Sequence, residues 1–206
     1  MTEFNACFVS YRHPNDPNAQ RFVQAFVEEL RALLKLWLPN ARIFFDEDGI
    51  QVGDRFNEEL ARELCRSACL VICYGPRHFD SSHPYCTREY LAMRLLEDKR
   101  RKHIFTTSGL IFPVVFRGFE SLLAEILDNR HYINFDDVVQ PSDFRSRRRR
   151  QKISDLALQI FKRCEELERS GVFAKDDCSR FRFAIKKADN WLKQNAGRAR
   201  PPMPGR

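Results

Sequence analysis

The most constraining feature of the chain is one pattern repeated five times: a short apolar run, then a longer stretch with apolar residues three and four apart. The clearest run is ACLVICYG, residues 68–75, uncharged throughout and closed by Gly75-Pro76. FNACFVS (4–10), ARIFFD (41–46), LIFPVVF (110–116) and HYINF (131–135) are of the same kind. Continuous apolar runs of this length suit strands buried on both faces. Between them, residues 19–37 place Phe22, Phe26, Leu30, Leu33, Leu34 and Trp37 on one helical stripe. Residues 55–66 do the same with Phe56, Leu60 and Leu64, and helices are expected at 84–98, 119–128 and 149–169. Strands that alternate with helices make βαβ units and a parallel sheet. Five strands predict an α/β, flavodoxin-like, doubly wound sheet of order 2-1-3-4-5. Pro113 inside the fourth run predicts a bulge or a sheet edge.

Charge divides the chain. Residues 171–206 hold nine Lys/Arg and three Asp, a balance of +6, whereas residues 1–170 hold 26 Lys/Arg and 25 Asp/Glu, a balance of +1. We read a globular domain over 1–169 and a basic helical extension with a disordered tail over 170–206. A nearly neutral domain lacks the basic footprint of a nucleic-acid reader; the Arg147–Arg150 run reads as a solvated helix start or linker, with contact to phosphate or an anionic surface the less favoured reading. FRFAIKKADNWLKQ (181–194) reads as a helix that packs on the domain or, as the less favoured reading, binds a partner. No signal peptide and no transmembrane run is visible, so the expected place is the cytoplasm. Cys65, Cys69 and Cys73 are four apart, but residues 68–74 read as a strand, so the three share no helical face. The three read as plain buried thiols rather than metal ligands, and the odd total of seven cysteines, with no C-x-x-C pair, makes no disulfide framework.

In a doubly wound sheet, ligands bind beyond the carboxyl ends of the strands, where the strand order reverses. Here that crevice lies beside strands one and three. Ser10, Tyr11, Arg12 and His13 follow the first; Tyr74, Gly75 and Pro76 follow the third and lead into HFDSSHPYCTREYLAM, residues 78–93. Tyr85 and Glu89 are at i and i+4 and share one helix face. A flat ring and an acceptor carboxylate suit a ligand with a ring and a polyol, and Arg12 suits an anionic group such as a pyrophosphate. Gly49 and Gly53, in the loop DEDGIQVGD (46–54), permit close backbone approach. The competing reading is a solvated Glu89 and a packing Tyr85. Cys86 and His83 are near in sequence, but no positioned base can be inferred, and G-x-S-x-G and GxxxxGK[ST] are absent.

Three blocks carry a family resemblance: FVSYRH (8–13), FFDEDGIQVGDRF (44–56) and ACLVICYGPRHFDSSHPYCTREY (68–90). Together they resemble a TIR (Toll/interleukin-1 receptor) domain of the prokaryotic NAD+-consuming type, over about 4–168. They match its strand-A motif, its BB loop, and its helix C, where enzymatic members read W-C-x-x-E and this chain reads Tyr85-Cys86-Thr87-Arg88-Glu89. The Glu matches and the Trp is replaced by Tyr. The resemblance implies the TIR fold and an NAD+ glycohydrolase or cyclase, with Glu89 catalytic and Ser10, Tyr11, Arg12, Tyr85, Asp46 and Gly49 at the nucleotide. NAD+ is then substrate, with no resident cofactor and no metal. The resemblance also implies self-association through the loop Asp46 to Asp54 and neighbouring helices, activation by or signalling to a separate sensor or effector protein, and a place in bacterial antiphage defence. Non-enzymatic adaptors and host-signalling mimics share the fold; adaptors lack the helix-C glutamate, so Glu89 is the discriminating residue.

Overall fold

The computed structural model describes residues 4–12, 17–45, 56–81, 84–104, 109–119 and 122–195. Five parallel strands form one sheet: β1 (Asn5–Tyr11), β2 (Arg42–Phe45), β3 (Ser67–Tyr74), β4 (Ile111–Val115) and β5 (Ile133–Asn134). Their order is β2-β1-β3-β4-β5, as the alternating pattern predicts. The inner strands β1 and β3 are buried along their whole length, which is why their sequences show no polar alternation. β5 pairs β4 only at Val114 and Val115, so Pro113 lies beyond that pairing and its missing N–H interrupts no bond to β5. β4 lies between β3 and β5 and Pro113 keeps regular register with Ile72, so neither the edge nor the bulge expected for this strand is present; Pro113 is tolerated because it falls outside the β5 pairing.

The helices are α1 (Pro17–Leu34), α2 (Phe56–Cys65), α3 (Tyr85–Arg101), α4 (Ala124–Asn129), α5 (Arg147–Arg169), α6 (Val172–Lys175) and α7 (Ile185–Asn195). α1 packs with α5, α2 packs with α3, and α7 lies over α3. α1 ends three residues earlier than its apolar stripe suggests. Trp37 falls in a turn, half exposed, and stacks on Phe161 of α5 at 5.7 Å. Phe26, Phe116, Phe135 and Phe144 meet in one edge-on and stacked ring cluster between α1, β4 and the chain after β5. This cluster accounts for part of the chain's wealth of Phe, since such pairs add about 0.5–1.5 kcal/mol beyond the area they bury.

The cysteine expectation needs correction. Cys65 and Cys178 form a disulfide across 113 residues, with Cα atoms 5.4 Å apart. Cys7, Cys69, Cys73, Cys86 and Cys164 are buried free thiols. Cys65 ends α2 rather than entering the strand, so it faces the passing C-terminal segment, and spacing alone could not reveal a partner that distant. That segment packs closely on the domain. Gly171, at φ 63°, turns the chain from α5 into α6, and Phe173 then stacks on Phe4 at 4.5 Å.

Among the described residues no helix is long and apolar enough to cross a membrane, and no group of His, Cys, Asp and Glu could hold a metal ion.

Candidate active site

The carboxyl ends of β1 and β3 and the start of α3 converge on Glu89. β1 delivers Ser10 in register with Ile72 of β3. β3 ends at Tyr74, and a turn over 76–79 folds His78 back beneath it, its backbone N–H donating to the Gly75 carbonyl at 3.0 Å. α3 brings Cys86 and Glu89 to the same point. The Ser10 hydroxyl donates to Glu89 Oε2 at 2.5 Å, and His78 Nε2 lies 3.5 Å from the same hydroxyl. Ser10 is 2% exposed, His78 1% and Glu89 6%. The three form a buried polar cluster at an otherwise apolar sheet end.

Burial sets the protonation of its neighbours. It lowers His78 from its ordinary 6.5 to about 3; the Arg12 charge adds to this and the Cys73 backbone opposes it. His78 is therefore a neutral imidazole at physiological pH. Burial raises the Cys86 thiol well above its ordinary range; the Glu89 charge adds to this, and a hydrogen bond with Ser10 opposes it. Cys86 is thus a protonated thiol and not a thiolate nucleophile.

The neutrality of His78 links stability to pH. In the unfolded chain it takes a proton near pH 6.5, and in the fold only near pH 3. Between those values the unfolded state binds more protons, so stability falls as pH falls, by up to about 1.4 kcal/mol per unit. Denaturant unfolding of wild type and His78→Phe should therefore converge by about 2 to 3 kcal/mol between pH 7 and 4.5. Parallel stability curves would show that His78 titrates normally.

The other residues expected at the site are placed unevenly. Arg12 flanks it, with Nη1 donating to the Arg77 carbonyl at 3.2 Å and facing Asp80 at 3.5 Å. Tyr11 is buried against Phe45, ring centroids 4.8 Å apart, and belongs to the core. Tyr85 begins α3 one turn before Glu89, 36% exposed, with the Arg88 guanidinium over its ring at 5.2 Å. Asp46 and Gly49, with the rest of the loop 46–54, lie outside the described residues. Ser10, Glu89, Arg12 and Tyr85 are thus gathered at one end of the sheet, and Tyr11 turns away.

His78 is the member that sequence reasoning missed. Its signal was a His in the loop leaving strand three, at the expected crevice, masked by the more conspicuous His83. Behind it, Phe79, Tyr90 and Trp191 form a ring cluster with centroids 5.5–5.8 Å apart. Glu125 accepts from Tyr90 Oη at 3.0 Å and Trp191 Nε1 at 3.1 Å, and it pairs with Arg94. Burial, with the Glu125 charge, pushes Tyr90 up to about 12, so it remains a phenol donor. The residues that follow His78 and Glu89 in sequence are therefore clamped from outside by α7.

Comparison with curated proteins gives no match. Comparison with family models matches the TIR domain over residues 7–151, more than half of the chain, spanning β1 through the first turn of α5 and including Ser10, His78, Tyr85 and Glu89. With the five-stranded parallel sheet and its order, this establishes that the chain belongs to the TIR-domain family.

Proposed function

We propose that this chain is an NAD+ glycohydrolase, with or without cyclase activity, that cleaves the bond between nicotinamide and ribose. The observation that carries the reading is the Glu89 carboxylate, held by Ser10 at the ligand-binding end of a TIR-type sheet. Nicotinamide in NAD+ is a cationic leaving group and needs no general acid. Its departure leaves an oxocarbenium-like ribose. A preorganised carboxylate in a low-dielectric site stabilises that developing positive charge and binds the ribose hydroxyls. Water capture gives ADP-ribose; capture by a nucleophile within the molecule or added to it gives a cyclic or conjugated product. In this reading Tyr85 flanks the departing ring and Arg12 meets the pyrophosphate. Self-association through the loop 46–54, a separate sensor or effector, and a place in cytoplasmic antiphage defence complete the proposal.

A binding-only module is the second reading. It is favoured by one observation: Glu89 is already hydrogen-bonded and nearly buried, as a purely structural carboxylate would be. The two separate on incubating the protein with NAD+, dilute and then crowded on beads, with products resolved by chromatography and mass detection. The enzyme reading expects nicotinamide to appear, at a rate per molecule that rises on crowding, with the co-product distinguishing hydrolase from cyclase. No release in either state would favour the binding module.

A further inference from the structure

We infer that Ser10 is a positioning residue for the Glu89 carboxylate and not a contact to the nucleotide. The kinetic consequence rests on the reading of Glu89 as catalytic; the geometry does not. Ser10 is the sixth residue of β1, in register with Ile72 of β3 and next to Val9, which pairs Phe45 of β2, so its Cα is held by the β3 ladder at the end of the β2 one. At 2% exposure its hydroxyl has almost no surface to offer a ligand. A serine hydroxyl carries one proton and two lone pairs. Two acceptors compete for that proton: the Glu89 oxygen at 2.5 Å and the neutral His78 ring nitrogen at 3.5 Å. The shorter distance and the charged acceptor both assign it to Glu89. His78 and the protonated Cys86 thiol also lie beside the hydroxyl, which is buried with them. Oε2 accepts this bond, which ties the carboxylate to β1.

A carboxylate freed from that bond would sample other rotamers, and a misplacement of about 1 Å costs about a hundredfold in rate. Ser10→Ala should therefore lower kcat for nicotinamide release by about 10- to 100-fold and leave KM within about threefold, while Ser10→Thr, which keeps the hydroxyl, should return kcat to within about threefold of wild type. A direct nucleotide contact would instead raise KM with kcat preserved, and that result would overturn the inference, as would wild-type kcat in Ser10→Ala or no recovery in Ser10→Thr. A measurement free of turnover accompanies these: the carboxyl-carbon NMR titration of Glu89 in wild type and Ser10→Ala. Among the described residues, Ser10 donates to this carboxylate and Cys86 lies in its field, with His78 beside Ser10 and the Arg12 charge acting on both His78 and Cys86. Losing a donor to the charged form should move the Glu89 titration upward in Ser10→Ala; coincident titrations overturn the inference whether or not the protein turns over. An upward shift together with full activity in Glu89→Gln would keep the positioning and discard the catalytic role of Glu89.

Discussion

Glu89→Gln is expected to lower nicotinamide release from NAD+ by about 100- to 1,000-fold with little change in melting temperature. The substitution keeps the shape of the side chain and removes its charge. Its amide oxygen can still accept from Ser10, so the buried hydroxyl is not orphaned and the fold has no reason to loosen. What disappears is the electrostatic attraction that grows as the ribose becomes cationic, and one preorganised group of this kind is worth about that factor. The effect should fall on kcat, because ground-state NAD+ already carries the nicotinamide charge while the ribose charge develops only in the transition state. Glu89→Asp should fall between the two: it keeps the charge but withdraws it by one methylene from both Ser10 and the ribose. Initial rates at saturating NAD+, measured at matched crowding, decide the matter. Wild-type rates in Glu89→Gln would remove the catalytic role and leave the carboxylate as part of the domain's polar interior.

The sheet was legible because its inner strands β1 and β3 are buried on both faces. β1 and β3 write that burial into unbroken apolar runs, and the order 2-1-3-4-5 then follows from alternating strands and helices. The same logic pointed to the crevice at β1 and β3, and so to Ser10, Arg12, Tyr85 and Glu89. It could not say which way a side chain turns. Tyr11 follows Ser10 along β1 and faces the opposite side, onto Phe45, because successive strand residues alternate faces. The neutrality of His78 was hidden for a different reason: it comes from burial, which a loop sequence does not encode. The C-terminal segment was the least legible. Its composition is basic and its apolar content sparse, yet Cys178, Asp176, Phe173 and Trp191 each meet a partner far back along the chain.

Those partners make a strong prediction for stability. Arg100 on α3 is 0% exposed. Its Nη1 donates to the Ser67 carbonyl at 2.7 Å, its Nη2 to the Cys65 carbonyl at 2.5 Å, and its Nε to Asp176 Oδ2 at 3.0 Å. Burial lowers its proton affinity and the Asp176 charge opposes that, so Asp176 is the counter-ion that keeps a buried guanidinium tolerable. Lys99 donates to the other carboxylate oxygen at 2.7 Å, and two residues later Cys178 closes the disulfide to Cys65. Asp176→Ala leaves the buried charge unpaired and should destabilise the protein by about 3 to 5 kcal/mol, lowering the melting midpoint by about 10 °C in a chain of this size. Arg100→Met with Asp176→Ala removes both charges and should cost less than Asp176→Ala alone, since a buried pair replaced by apolar groups is close to neutral. Cys178→Ser, measured without reductant, should cost up to about 4 to 5 kcal/mol, because the bond closes a loop of more than a hundred residues in the unfolded chain. Reductant should bring wild type down to the variant and leave the variant unmoved. Urea unfolding of the four proteins tests all of this. If the double variant is no more stable than Asp176→Ala, the Arg100 contacts to the Ser67 and Cys65 carbonyls matter more than its charge, and the segment from α6 to α7 is fastened chiefly by its rings and its disulfide.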